Sequence, residues 1–232
     1  MRLSCIIPAY NEAARIGAVL DVAVGHPLIH EVIVVDDGST DDTARVAARA
    51  GVRLVQMPQN GGKARALAAG TALAAGDWLM FLDSDLIGLT RDDLTRLIEP
   101  VLTEKAHTAI SLRRNAPVLW RWIGLDYISG ERVMPKAMLA AHLPQLDHLP
   151  RFGVEVFLNA LWISTARRLA VVRWDGVVSP SKSSKHGLLQ GITGDLGMVR
   201  DILQTVGIKT AAQQILRLMR QRVRVCPPDL GA

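Results

Sequence analysis

The first half of the chain alternates short apolar segments with helical ones, and this alternation constrains the fold more than any other feature. The apolar segments are residues 3–7, 32–35, 52–57, 78–82 and 108–112. Runs of this kind, without polar alternation, are typical of strands covered on both faces of a parallel sheet. The helical segments are residues 13–24, 40–50 and 62–75. The pattern predicts an α/β fold with a doubly wound, mostly parallel sheet.

Composition excludes several other classes of protein. Of the 232 residues, 49% are hydrophobic and 21% are charged, a balance typical of globular rather than disordered chains. The two cysteines, Cys5 and Cys226, exclude a disulfide framework and favour a reducing compartment. No stretch reaches the length of about 18 apolar residues that a membrane-spanning helix needs. We therefore expect a cytoplasmic protein.

The alternation stops near Leu112, and the charge changes sign there. Residues 1–112 contain 10 Lys and Arg against 14 Asp and Glu, a net charge of −4. Residues 113–232 contain 17 against 8, a net charge of +9. We take this point as the boundary between two halves of one domain. The basic half favours nucleic acid, phosphorylated ligands or anionic lipid as partners.

Carboxylates collect where the predicted strands end. Glu12 follows the first strand, Asp36 and Asp37 the second, and Asp83 and Asp85 the fourth. Ligands of open α/β sheets bind at this edge, and a cation would relieve the repulsion between these charges. Two carboxylates leave positions on Mg²⁺ or Mn²⁺ for substrate phosphates. The alternative is that residues 83–85 form a turn and cap the helix predicted over residues 90–97.

A second signal is the Asn-Gly-Gly-Lys segment of residues 60–63, which comes where the third helix begins. Backbone N–H groups at a helix N-terminus, together with Lys63, favour a phosphate. Taken alone, the segment has a solvated turn as its alternative. Asp36 and Asp37 have an alternative as turn residues, and Ser39 or Thr40 is available to cap the second helix. In this order and spacing, the segments together indicate a ligand site.

These segments resemble the family 2 glycosyltransferases, which have the GT-A fold and use nucleotide-sugar donors. The resemblance covers residues 4 to 97. It rests on residues 6–12 (Ile-Ile-Pro-Ala-Tyr-Asn-Glu), 34–41 (Val-Val-Asp-Asp-Gly-Ser-Thr-Asp), 60–63 and 81–85 (Phe-Leu-Asp-Ser-Asp). It implies a single GT-A domain, a Rossmann-like sheet flanked by helices, with residues 1–112 as the nucleotide-sugar-binding half.

The resemblance also implies roles for residues of this half. The nucleoside pocket would be lined by Pro8, Tyr10 and Glu12. Asp37 would bind the base, and Lys63 would lie near the diphosphate. Ala64 stands where many relatives have a glycine after that lysine.

Residues 83–85 correspond to the DxD metal motif of the family. Asp83, Ser84 and Asp85 would bind the donor, and Asp83 and Asp85 would hold Mg²⁺ or Mn²⁺. Asp85 would be the more direct ligand and therefore a catalytic residue.

The second half, residues 113–232, resembles the acceptor-binding part of bacterial glucosyl-phosphoglycerate synthases and polyprenyl-phosphate glycosyltransferases. The matching segments are residues 129–132 (Ser-Gly-Glu-Arg) and 152–155 (Phe-Gly-Val-Glu). The resemblance implies that Gly130 and Arg132 contact the acceptor and that Glu155 lies near the reacting carbon. A buried structural carboxylate is the alternative for Glu155.

Many relatives carry a histidine metal ligand after the last core strand. Here His186 comes late in the corresponding segment and Ser179 stands at the matching position, so no third ligand is assigned. Lys182, Lys185 and His186 are expected to form a basic loop over the phosphates or a solvated loop.

The function that these features predict is metal-dependent transfer of a hexose from a nucleoside diphosphate sugar, UDP favoured, to a small phosphorylated molecule or a lipid phosphate. Glu155 is the best general base for a hydroxyl acceptor. A nucleotidyltransferase is one alternative, but its glycine- and arginine-rich loop after the first strand is replaced by Ala-Tyr-Asn-Glu. A non-catalytic nucleic-acid-binding protein would leave the acidic strand ends unexplained, so we expect no nucleic-acid partner.

Contact with the inner face of a membrane is a further expectation. It rests on the basic second half, on residues 119–123 (Leu-Trp-Arg-Trp-Ile) and on the last predicted helix, residues 194–225 with a break at Gly207. The arginines of that helix are Arg217, Arg220, Arg222 and Arg224. The alternative is that the tryptophans belong to the core and that the arginines are solvated.

Overall fold

A computed structural model describes residues 1–146, 149, 153–165, 167–180 and 207–223. These residues form an eight-stranded sheet with the order β3-β2-β1-β4-β6-β5-β7-β8. The strands are β1 (Leu3–Ala9), β2 (Glu31–Asp36), β3 (Val52–Gln56), β4 (Trp78–Phe81), β5 (Thr108–Arg113), β6 (Arg132–Pro135), β7 (Leu169–Trp174) and β8 (Arg222–Val223). All neighbours pair in parallel except β6, which is antiparallel to β4 and β5. The mostly parallel α/β sheet predicted from the sequence is confirmed.

Helices cover both faces of this sheet. They are α1 (Ile16–Ala23), α2 (Thr43–Ala47), α3 (Lys63–Leu73), α4 (Arg91–Leu102), α5 (Val118–Ile123), α6 (Lys136–Ala140), α7 (Leu143–Leu146), α8 (Gly153–Ser164) and α9 (Ile208–Gln221). No helix among the described residues is long and apolar enough to cross a bilayer.

Two apolar cores lie on opposite faces of the sheet because successive strand residues point to opposite sides. Ile6 and Phe81 belong to the core that packs against α3, α5, α8 and α9. Cys5 and Met80 belong to the core that packs against α1, α2 and α4. Burial on both faces explains why the first strands appear in the sequence as continuous apolar runs.

The N-termini of α4 and α2 differ in whether a polar side chain caps the helix. Thr90 and Asp93 form a reciprocal capping box at α4, so residues 83–85 do not cap that helix. Thr43 begins α2, later than predicted, and no side chain caps it. The expectation of a Ser39 or Thr40 cap was therefore wrong. Ser39 instead accepts a hydrogen bond from the backbone N–H of Asn11 at 2.9 Å.

The second half still alternates strands and helices, but one of its strands is antiparallel to its neighbours. The boundary near Leu112 stays a prediction. The strand β6 runs against its neighbours between β4 and β5, so a segment distant in the sequence adjoins the strand that precedes Asp83. In the last helix, Gly207 at the N-cap has a positive φ of 81°. The predicted helical segment before it, residues 194–206, lies outside the described residues.

Candidate active site

The candidate site lies where β1, β2 and β4 end. These three strands are parallel, with β1 hydrogen-bonded to both of the others, so their carboxyl ends meet at one edge of the sheet. Pro8 lies within β1, and Tyr10 follows the strand with 45% of its surface exposed. Glu12 pairs with Arg15 in the same loop at 3.0 Å.

Asp37 holds the loop that precedes α3. Its two carboxylate oxygens accept hydrogen bonds from the backbone N–H groups of Gly61 at 2.8 Å and Gly62 at 2.7 Å. Gly62 has a φ of 88°, a value that glycine adopts without a side-chain clash. This arrangement places Lys63 at the first turn of α3. The sequence predicted contact between Asp37 and a nucleoside base, and that role is not tested by these bonds.

Lys63 connects the end of β4 to the start of α8 through two ion pairs. Its Nζ lies 2.7 Å from Asp83 Oδ1 and 3.1 Å from Glu155 Oε1, the latter at the first turn of α8. Burial disfavours the ammonium, but the charges of Asp83 and Glu155 outweigh it and raise the pKa of Lys63. The same lysine and Arg113 outweigh burial at Asp83 and hold its pKa below the ordinary value.

Asp85 lacks such a cationic partner among the described residues. Its oxygens accept hydrogen bonds from the Ser179 hydroxyl at 3.1 and 3.2 Å. Burial and the negative charges of Asp83 and Glu12 raise the pKa of Asp85. Ser84 between the two aspartates is 7% exposed. The carboxylate of Asp85 is therefore the group in this cluster whose charge is least compensated.

Gly130 lies directly against Asp83. A Cβ built on this glycine would collide with the carboxylate of Asp83, so a side chain here would displace that group. The sequence associated Gly130 with the acceptor. The structure shows a steric reason for glycine at this position, at the contact between the second half and β4.

A buried charge network lies behind Asp83. Arg113, at the end of β5, is 3.5 Å from both Asp126 and Glu131. Burial and its proximity to Asp83 raise the pKa of Glu131, and Arg113 opposes these effects. Glu131 also accepts hydrogen bonds from Ser111 at 2.5 Å and Ser129 at 2.8 Å.

Arg132 is 1% exposed, so the structure does not place its guanidinium at the surface. The group donates hydrogen bonds to the Ser129 carbonyl at 2.7 Å and to Asn159 Oδ1 at 2.8 Å. It also stacks over Trp162, 4.8 Å from the ring centre. Burial lowers the pKa of Arg132 to about 10. The predicted contact with the acceptor stays a prediction.

Sequence reasoning assigned no role to Arg113, although a usable signal was present. Arg113 is the last residue of β5, just as Asp37 and Asp83 lie at or just beyond the ends of their strands. The argument that ligands bind at the carboxyl ends of parallel strands would therefore have included Arg113 in the site. Glu131 lies in the Ser-Gly-Glu-Arg segment of residues 129–132, but the sequence analysis assigned it no role. The pairing of Ser179 with Asp85 joins positions 94 residues apart. Lys182, Lys185, His186 and Arg224 lie outside the described residues.

The carboxylates fit a divalent cation that also binds a substrate. Within the described ranges, no three His, Cys, Asp or Glu side chains are grouped closely enough to hold a metal by themselves. Mg²⁺ is commonly bound through one or two carboxylates together with substrate phosphates. Asp85 offers oxygen ligands that no described cation contacts directly, which suits that arrangement.

The fold and this site define the class of the protein. The chain matches the model of Glycosyl transferase family 2 over residues 4–148, more than half of its length, and it belongs to that family.

Individual relatives agree with this assignment. Glucosyl-3-phosphoglycerate synthase of Mycobacterium tuberculosis is 34% identical over 158 residues, which are 62% of this chain and 49% of that protein. A dolichyl-phosphate beta-glucosyltransferase of Trichomonas vaginalis is 29% identical over 149 residues, covering 53% and 44%. The chain spans about half the length of the curated relatives it matches.

Solved structures of the Mycobacterium tuberculosis synthase share the fold. One, in complex with Mn²⁺, UDP and glucosyl-3-phosphoglycerate, has a TM-score of 0.66 at 27% identity and covers 89% of this chain and 80% of its own. Another, in complex with Mg²⁺ and UDP, has a TM-score of 0.68 at 27% identity, with the same coverage. The predicted family and its GT-A fold are confirmed.

Proposed function

We propose that the chain transfers a hexose from a nucleoside diphosphate sugar, with UDP the favoured nucleotide, to a phosphorylated acceptor. The observation that carries the proposal is the convergence of Lys63, Asp83 and Glu155, which links the end of β4 to the first turns of α3 and α8. Support also comes from the synthase structures, whose ligands include UDP-glucose and phosphoglyceric acid with Mn²⁺. Family membership disfavours the nucleotidyltransferase and nucleic-acid-binding alternatives.

On the donor side, Pro8, Tyr10, Glu12 and Asp37 are proposed to contact the nucleoside. Asp83 and Asp85, with Ser84 between them, would hold Mg²⁺ or Mn²⁺ against the diphosphate. When bound, the metal acts as a Lewis acid that offsets charge on the leaving group. Lys63 and the backbone N–H groups at the start of α3 provide fixed positive potential beside that charge.

On the acceptor side, Glu155 is the proposed base. It is 5% exposed, and its Oε2 is buried without a hydrogen-bond partner among the described residues. An acceptor hydroxyl would satisfy this oxygen and pass its proton to it as the new C–O bond forms and the bond to the diphosphate breaks. An acceptor phosphate is already ionised and needs no base. Gly130 and Arg132 are proposed to shape this side of the site.

The experiment that tests the proposal measures binding and turnover of UDP-, GDP- and dTDP-sugars with and without Mn²⁺. We expect one donor to bind in a metal-dependent manner. Asp85→Ala should lower kcat/KM about a thousandfold, because Lewis-acid stabilisation is worth several kcal/mol.

Asp175→Ala removes an exposed carboxylate elsewhere and serves as the matched control. Equal donor binding by the wild type and the Asp85→Ala variant would overturn the metal role. Failure to bind any donor in the presence of Mn²⁺ would overturn the proposed function itself.

A further inference from the structure

The short helix α5 exposes an apolar face that the proposed reaction does not use. Val118 is 65% exposed, Leu119 46% and Trp122 84%. Trp120 points inward, is 3% exposed and packs on Tyr127 with ring centres 5.7 Å apart. Trp120 is therefore a core residue, whereas Trp122 is exposed, as contact with a membrane would require.

The last helix, α9, exposes a second apolar stripe. Leu216 is 58% exposed and Met219 41%, whereas Leu218 is buried. The two residues are three positions apart and therefore lie on the same side of the helix.

Two hydrogen bonds connect this helix to the segment around α5. Arg222 donates to the carbonyl of Gly124 at 3.0 Å, and the Tyr127 hydroxyl donates to Gln214 at 2.6 Å. We call the surface formed by Val118, Leu119, Trp122, Leu216 and Met219 the α5–α9 face.

The α5–α9 face is surrounded by positive charge. Arg121, Arg217 and Arg220 are exposed, and none of the three has an ion-pair partner within the described ranges. Residues 114–123 and 207–223 contain no Asp or Glu. Aromatic and aliphatic side chains bordered by arginines match a bilayer surface, where indole rings lie at the headgroup level and arginines reach lipid phosphates.

We propose that the α5–α9 face docks the protein on an anionic bilayer. A second copy of the chain fits this face less well, because a two-fold contact brings together the same surface of both copies, and that surface carries positive charge only. An anionic leaflet instead complements every charge on the face.

Docking here would bring the bilayer close to Asp85, beside which transfer to the acceptor is proposed to occur. Asn115, three residues before α5, donates a hydrogen bond to the Ser179 carbonyl at 2.6 Å, and the Ser179 hydroxyl bonds to Asp85. The face and the metal motif are thus connected through one pair of loops. If the proposed function holds, on which this step rests, the acceptor is a lipid phosphate in the bilayer rather than a small soluble acid.

The test is co-sedimentation of the full chain with vesicles of phosphatidylcholine alone and with added phosphatidylglycerol, at low salt. We expect binding to the anionic vesicles and release as salt is raised. The double variant R217Q/R220Q should bind about 25-fold more weakly, since each basic residue near an anionic leaflet contributes about fivefold in affinity.

The matched control is R45Q/K105Q, which removes the same charge where α2 and α4 cover the opposite side of the sheet, and it should bind like the wild type. Trp122 emission should shift to the blue on anionic vesicles, and Trp122→Phe should abolish the shift while the protein still sediments. UDP binding is measured for every variant to show that the site is folded.

Absence of binding to anionic vesicles at low salt overturns the docking proposal, and so does an equal loss in R217Q/R220Q and R45Q/K105Q. Self-association that R217Q/R220Q changes, without vesicle binding, assigns the face to a second copy and also overturns it. Vesicle binding without UDP binding overturns the proposed function and leaves docking intact. UDP binding with transfer to phosphoglycerate but not to a lipid phosphate in bound vesicles overturns the acceptor assignment alone.

Discussion

The polar side chains of residues 1–112 and of residues 113–232 have different kinds of partner. In the first half, the loops at the strand ends are held by hydrogen bonds to the backbone, as Asp37 holds Gly61 and Gly62 and Asn11 holds Thr40. In the second half, charged side chains are buried and pair with one another, as Arg113 does with Asp126 and Glu131. The first arrangement pairs side chains with backbone groups, and the second pairs charged side chains with one another.

The difference matters because the two arrangements respond differently to substitution. A loop held by backbone bonds tolerates change in the side chains that face the ligand. A buried charge left without its partner destabilises the whole domain. We therefore expect substitutions of the buried charged residues in the second half to affect stability first, and substitutions in the strand-end loops of the first half to affect ligand binding first.

The largest effect is expected for Arg132→Met. The substitution keeps an unbranched apolar stem but leaves the Ser129 carbonyl and Asn159 without their donor, and it removes the stacking on Trp162. We expect the free energy of unfolding to fall by about 3 kcal/mol in urea titrations. Arg121→Met on the exposed helix α5 is the control and should change it little. A small effect at Arg132 would mean that the buried network does not carry the stability of this half.

Gly130→Ala tests the contact between the halves. The added methyl group would displace the Asp83 carboxylate, and displacement of a catalytic group by about 1 Å can lower turnover about 100-fold. We expect kcat/KM to fall by about that factor while the thermal midpoint changes by only a few degrees. In Gly176→Ala the new methyl group would lie 3.9 Å from the Gly88 carbonyl oxygen, an ordinary van der Waals contact, and the substitution should leave both quantities unchanged. Normal turnover in Gly130→Ala would show that the position of Asp83 is not critical.

Lys63→Met separates two roles of the lysine. Without its ammonium, only Arg113 among the described cations offsets the charge of Asp83, so Mn²⁺ should bind the nucleotide-free protein several-fold more tightly, by calorimetry. The donor should bind about tenfold more weakly, because a charge-assisted hydrogen bond to the diphosphate is lost.

Lys136→Met, whose Nζ donates to the Ala74 carbonyl outside the site, is the control. Equal weakening of Mn²⁺ and donor binding in Lys63→Met would show that the lysine and the metal do not compete for Asp83.

The smallest effect concerns pH and lies in the first half. His26 is 2% exposed, its Nδ1 accepts from the Leu28 N–H at 3.2 Å, and its Nε2 contacts the Arg91 carbonyl at 3.1 Å. Burial lowers the pKa of His26, so the native state binds fewer protons than the unfolded state. Stability is therefore fully present above about pH 6.5, the ordinary value for histidine, and decreases below it.

Protonation would break the bond from Leu28, at a cost of about 1 kcal/mol. His26→Gln should reduce this dependence in denaturation curves recorded between about pH 7 and pH 5.5, whereas His30→Gln, at an exposed site, should retain it. An unchanged pH dependence in His26→Gln would assign it to other groups.

Much of the first half, residues 1–112, could be predicted from the sequence alone. The first strands, the helix beginning at Lys63 and the collection of carboxylates at one edge follow from apolar runs and from residues a few positions apart. Asp83 and Asp85 are two residues apart at a strand end, so their proximity needed no tertiary information. The cap of α2 was mispredicted because Ser39 bonds to Asn11, 28 residues away, rather than to its own helix.

The tertiary structure decided the rest. The pairing of Lys63 with Glu155 spans 92 residues, and the contact of Gly130 with Asp83 requires β6 to be antiparallel beside β4. Periodicity cannot reveal such contacts, because it reports which face of an element is buried and not which distant element covers it. The chain by itself determined the sheet and the residue types at its edge. Only packing determined which cation compensates which carboxylate, since that depends on distances between elements that the sequence leaves free.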